Sequence, residues 1–172
     1  MMGHIRLWTT RIGGPNDGTF VGMSFQNLPP TWTDQPLTDP AFAADVVDLM
    51  VSLGERHRGT FTVMICDPGD CYVASVAVDL PEEFEQLTTG LTPSDLCSGA
   101  LGAIMPAVRT APGTGLLLAL GRPGPASWPE LDNEWAQAAT HICRAADVRL
   151  LGFYVASADH IYQPLTETAV AA

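Results

Sequence analysis

Few stretches of this chain place reactive residues at spacings that a fold could bring together. Arg122 and Asp132 stand at the two ends of a loop, between the apolar run Leu116–Leu120 and an amphipathic run beginning near Pro129 or Leu131. A guanidinium there can offer its planar fork to an anion or to a partner's carboxylate. Alternatively, Arg122 and Asp132 close on each other as an exposed ion pair that ties the loop to the helix start, an interaction worth little. Ser127 and Trp128 lie in the same loop. A loop tryptophan either anchors a partner, as aromatic hot spots do, or packs over the strand ends as a lid. Arg122, Ser127, Trp128 and Asp132 are therefore the candidate binding residues.

Other chemistry is harder to assemble. Gly121-Arg122-Pro123-Gly124 follows a strand and precedes a helix, but it is neither GxxxxGK[ST] nor GxGxxG, and Pro123 and Pro125 remove N–H donors that would cradle phosphate. His141 and Cys143 are two apart on a helix and do not face each other; Cys71 and His57 would have to meet through tertiary structure. His4, His57, His141 and His160 are scattered, none with a partner at metal-ligand spacing. The cysteines, Cys66, Cys71, Cys97 and Cys143, form no CxxC, although Cys66 and Cys71 flank a tight turn that lets them face each other. No catalytic residue, metal ligand or cofactor is expected.

The 172 residues suit one domain spanning 1–172, and 47% hydrophobic with 16% charged residues places it among globular proteins. Eight Arg, no Lys and 19 acids give a net charge of −11. Arg56 and Arg58 are the largest basic cluster, too small to displace phosphate counterions, so nucleic acid is not an expected partner. No secretory leader and no apolar run of membrane-spanning length is seen, so the expectation is a cytoplasmic protein with reduced, buried thiols and no membrane partner.

The elements that must position these residues follow from periodicity. Residues 4–9 and 19–25 read as an N-terminal hairpin, followed by a Pro-rich loop to residue 38. Asp39-Pro40 caps a helix whose apolar stripe is Phe42, Val46, Leu49, Met50 and Leu53, with Arg56, His57 and Arg58 in its last turn and Gly59 as the stop. Residues 60–78 form a hairpin around Asp67-Pro68-Gly69-Asp70, where Gly69 suits the positive φ of a type II turn. A short helix is expected at 81–87, and Thr92-Pro93 caps another that Pro106 kinks or ends. The third helix buries Leu131, Trp135, Ala138, Ala139, Ile142 and Ala146, a strand follows at Arg149–Ala156, and residues 166–172 form a flexible tail. The fold class expected is α/β, a central mixed sheet flanked by helices.

This order resembles the JAB/JAMM metalloprotease-like superfamily, nearest its RadC-like branch, with a three-layer arrangement like that of the cytidine deaminases. In that branch a strand ends in His-x-His-Pro, a Ser/Pro-rich loop leads to an Asp opening a helix, and a later strand carries Asp-His. Leu116–Leu120 looks like the first strand, Pro123 like the proline, and Asp132 falls where the ligand Asp would, with Ser127 and Pro129 in the loop. The ligand histidines are replaced by Leu120 and Arg122, the catalytic Glu by Thr60, and Asp-His by Gly152-Phe153. Zinc hydrolysis needs three protein ligands, an open position and a base. One carboxylate on an exposed loop beside an Arg supplies none of that. The resemblance thus implies an inactive member acting as an interaction, scaffolding or regulatory module with a protein partner or with itself. A hydrolase or small-ligand binder with its site relocated to the 121–132 loop, or a DNA-repair-associated factor, are the alternatives.

Overall fold

The computed structural model describes residues 5–8, 28–80 and 92–164. Helix α1, Pro40–Met50, starts where Asp39 accepts the Ala41 N–H at 2.9 Å. The single helix expected from 39 to 59 is two. Ser52 is extended, its hydroxyl accepts the Glu55 N–H, and the Glu55 carboxylate accepts the Ser52 N–H at 2.8 Å. That reciprocal capping box starts α2, Leu53–Arg58, on a new axis, and Gly59 ends it with a φ of 90°.

Strands β2, Thr60–Cys66, and β3, Tyr72–Asp79, form the expected hairpin. Its turn is not type II, because the positive φ (68°) falls on Asp70 rather than Gly69. The Asp67 carboxylate accepts the N–H groups of Gly69 and Cys71 at 2.8 and 3.0 Å, and that Asx geometry moves the left-handed residue one position on. The hairpin closes through Asp67 N–H to the Cys71 carbonyl, so Cys66 pairs with Tyr72 and not with Cys71. All four cysteines are free.

Thr92 and Asp95 form a second capping box opening α3, Pro93–Gly102, and Pro106 sits in the first turn of a separate α4, Met105–Arg109. Then come β4, Gly115–Gly121; α5, Pro129–Ala145; β5, Arg149–Ala156; and β6, Ile161–Tyr162. Helix α5 stops without a glycine. Val148 N–H reaches back to the Cys143 carbonyl at 2.9 Å while Asp147 takes the left-handed conformation, φ 55°.

Among the described residues the strands lie in one six-stranded mixed sheet, β1-β3-β2-β4-β5-β6, in which β1 is Ile5–Trp8 and only β4 and β5 are parallel. Every residue of β4 is buried, as its unbroken apolar run requires of a strand covered on both faces. On one face Phe61, Val63, Leu116, Leu118, Leu120 and Val155 pack against α3, α4 and α5. On the other, Met64, Cys66, Leu117, Ala119 and Tyr154 pack against α1. The result is a three-layer α/β fold. β1 pairs with β3 of the same sheet, whereas the partner strand expected at 19–25, the helix expected at 81–87 and the tail at 166–172 lie outside the described residues.

Candidate functional site

Parallel pairing of β4 with β5 brings the C-terminal ends of both strands to one edge. There Thr60 lies opposite Gly121 on one side and Ala156 on the other, and the Arg122 N–H bonds the Ala156 carbonyl at 3.0 Å. Arg122 leaves β4 directly above the first turn of α5. The buried positions of that helix are Asp132, Trp135, Ala136, Ala139 and Cys143, so the inward stripe is turned from the expected one and begins with a carboxylate.

Arg122 and Asp132 meet as a bidentate pair, Nε to Oδ1 and Nη2 to Oδ2, each at 2.7 Å. Both side chains are 0% exposed, which corrects the expectation of an exposed pair, although Gly124, Pro125, Ala126 and Ser127 of the loop are exposed as expected. Burial is possible because nearly every polar atom is met. The Arg122 Nη1 donates to the carbonyls of Pro123 and Pro125, at 3.1 and 2.7 Å. Besides Arg122, Asp132 Oδ2 accepts the Trp128 N–H at 3.0 Å and the Tyr162 hydroxyl. The prolines that stiffen this loop leave their carbonyls free to face the guanidinium. A carboxylate at the start of α5 also complements the helix dipole.

Tyr162 is the member that periodicity could not reveal, since it comes from the two-residue β6 and its spacing from Asp132 matches no motif. Its phenol is held above the ordinary tyrosine range, first by partial burial and then by its bond to Asp132, while Ser127 and the Trp128 backbone oppose the shift. Ser127 is exposed and hydrogen-bonds the Tyr162 hydroxyl. Trp128 is half-buried at the N-cap of α5 and contributes its backbone rather than a side-chain cap. All four candidate residues therefore belong to one network, and Arg122 is its filled centre, with no fork left for an outside anion.

A second buried pair flanks the first. Arg56 turns inward from α2, donating Nη2 to Asp48 Oδ1 at 2.7 Å, Nε to the Val51 carbonyl at 2.9 Å and Nη1 to the Ser157 carbonyl at 3.2 Å. The sequence shows Arg56 only as part of a basic helix end; the helix break at Ser52 is what turns it inward. Gly121 lies beneath: a Cβ there would sit 2.8 Å from Val51 Cγ1 and 3.5 Å from the Arg56 Cα.

Thr60, Leu120, Arg122 and Asp132 thus gather at one end of the sheet. Gly152 and Phe153 do not, because Gly152 pairs with Leu117, midway along β4. Zinc does not fit the gathered residues. The oxygens of Asp132 are engaged by four donors, a buried guanidinium abuts them, the Leu120 side chain carries no donor, and the Thr60 hydroxyl is bonded to the Glu55 carbonyl at 3.3 Å. Among the described residues no group of three His, Cys, Asp or Glu could hold a metal ion. The cysteine–histidine pairs also come apart. His141 is exposed while Cys143 is buried, its thiol pushed up to about 11 by burial. His57 and Cys71 lie beyond opposite ends of β2. No helix among the described residues is long and apolar enough to cross a membrane. No family model, curated protein or solved structure matches the chain.

Proposed function

We propose that this chain is a non-catalytic domain of JAB/JAMM-like, RadC-like descent that works as an interaction or scaffolding module in the cytoplasm, on a protein partner or on a second copy of itself. The observation that carries this reading is the buried Arg122–Asp132 pair. It stands where the resemblance would put a zinc ligand and its neighbour, and its polar atoms are spent on one another and on the loop. A charge pair of this kind holds a loop in one conformation. It offers neither a base nor an open coordination position.

The exposed Ser127, bonded to Tyr162 and through it to Asp132, is what favours the hydrolase alternative. The oxygens of Asp132 are already occupied there by the Arg122 guanidinium, the Trp128 N–H and the Tyr162 hydroxyl, so Ser127 reaches it only through Tyr162. Metal analysis and a hydrolase screen on protein purified without chelator separate the readings. The module reading expects zinc far below one equivalent and no hydrolysis sensitive to Ser127→Ala. Stoichiometric zinc lost on Asp132→Ala, or serine-dependent turnover, overturns it.

A further inference from the structure

The end of β5 remote from the Arg122–Asp132 pair is open. β6 pairs only with Val155 and Ala156, so among the described residues no strand covers the outer edge of 149–154. A groove of about 560 Å³ runs along that edge, between the C-terminal part of α5, with Thr140 and Arg144, Asp147 just past the helix, and the segment Gln163–Pro164. Its volume falls within the roughly 300–1,000 Å³ of ligand sites. Leu150 and Phe153 give it an apolar floor.

Local geometry keeps the edge unfilled. Leu150 pairs with Leu116 and Gly152 with Leu117, so Leu151 is an extra residue that puts 151 and 152 on the same face. Glycine at 152 lets the segment close in, because a Cβ there would lie 2.8 Å from Gln163 Nε2 and 2.9 Å from Tyr154 Cε2, and both side chains would have to shift. Pro164 has no N–H with which β6 could continue the ladder.

We propose that this groove binds an extended peptide segment carrying an acidic side chain, laid along the edge of β5. Unpaired strand edges take added strands through backbone hydrogen bonds, while alternating side chains enter the pockets on either face. Charge selects the acid. Arg56, Arg122 and Arg149 are each held by a carboxylate, and Arg144 is the groove cation outside those pairs. Asp147, the acid of the groove, excludes a second carboxylate from its own side. The proposal rests on the reading of the chain as a binding module, and the two fail separately. Stoichiometric zinc would overturn that reading without touching this edge, and a silent groove would leave the buried pair as described.

The test is an NMR titration of the full ¹⁵N-labelled chain with an acetylated, amidated hexapeptide alternating valine with threonine around one glutamate. Amide shifts confined to residues 149–153 and the end of α5 are expected, with binding about two- to fivefold weaker when lysine replaces the glutamate, as an exposed charge contact allows. Arg144→Ala should erase that difference, and N-methylation of alternate peptide nitrogens should abolish binding while leaving the protein unaltered. No shift at millimolar peptide, equal binding of the N-methylated peptide, or shifts elsewhere would overturn the proposal. So would binding that appears only after removal of residues 165–172, or a dimer sealed at this edge, since either assigns the edge to the chain's own sequence.

Discussion

Removing one member of the Arg122–Asp132 pair leaves the other as a buried charge with no counterion. Breaking such a pair costs about 3–5 kcal/mol. For a domain of this size, about 2–4 °C of Tm per kcal/mol makes that a fall of roughly 6–20 °C for Arg122→Met or Asp132→Leu alone. The double variant removes both charges together. What remains is the loss of partners at the Trp128 N–H, the Tyr162 hydroxyl and the carbonyls of Pro123 and Pro125, which belong to residues not wholly shut off from water. Its expected cost is about 1–3 kcal/mol, well short of the sum of the single losses. Urea denaturation with an unchanged m-value is the assay, and the coupling energy from the double-mutant cycle should exceed about 3 kcal/mol. Additive losses, or single losses below about 1 kcal/mol, would mean the pair is solvated, and the case for a plugged site would go with it.

Burial pushes the thiols of Cys66 and Cys97 up to about 12 and that of Cys143 to about 11. Because the folded values are raised, stability is complete below the unfolded thiol range near pH 9 and falls as pH climbs toward 11–12, by about 1.4 kcal/mol per pH unit for each thiol. Cys143→Ala should remove one proton from the slope of urea midpoint against pH. Native alkylation at pH 8 should label Cys71 alone, by mass spectrometry, since the other three are buried. Gly121→Ala drives a methyl group against Val51 and should cost about 1–3 kcal/mol in urea denaturation. Asp147→Gly relieves the left-handed strain and should raise the urea midpoint by about 0.5–1 kcal/mol of stability, whereas Asp147→Val should lower it.

Apolar periodicity made the layers legible. The unbroken run at Leu116–Leu120 announced a strand covered on both faces, and Thr92-Pro93 and Asp39-Pro40 announced helix starts, because caps act within a few residues. The break at Ser52 was written in the sequence as well, as Ser-x-x-Glu, but a continuing apolar stripe masked it. Hairpin geometry turned on a side chain: Asp67 bonds two backbone N–H groups and shifts the left-handed residue to Asp70. The four loop candidates were readable as neighbours, but the burial of Arg122 and Asp132 was not. It depends on Tyr162 arriving from β6 and on proline carbonyls turning inward, and neither leaves a period in the chain.

The central position of β4 has a consequence for synthesis. Strand β2 needs β4 on its open side, yet about 35 residues separate the end of β3 from the start of β4. At about 5–20 residues per second, the β2–β3 hairpin waits roughly 2–7 s on the ribosome with the apolar edge of Thr60–Cys66 unfilled. Lowering the growth temperature slows aggregation as well as elongation, so the yield of soluble protein should depend on how well that nascent edge is shielded, by a chaperone or by a fused partner, more than on the stability of the finished domain.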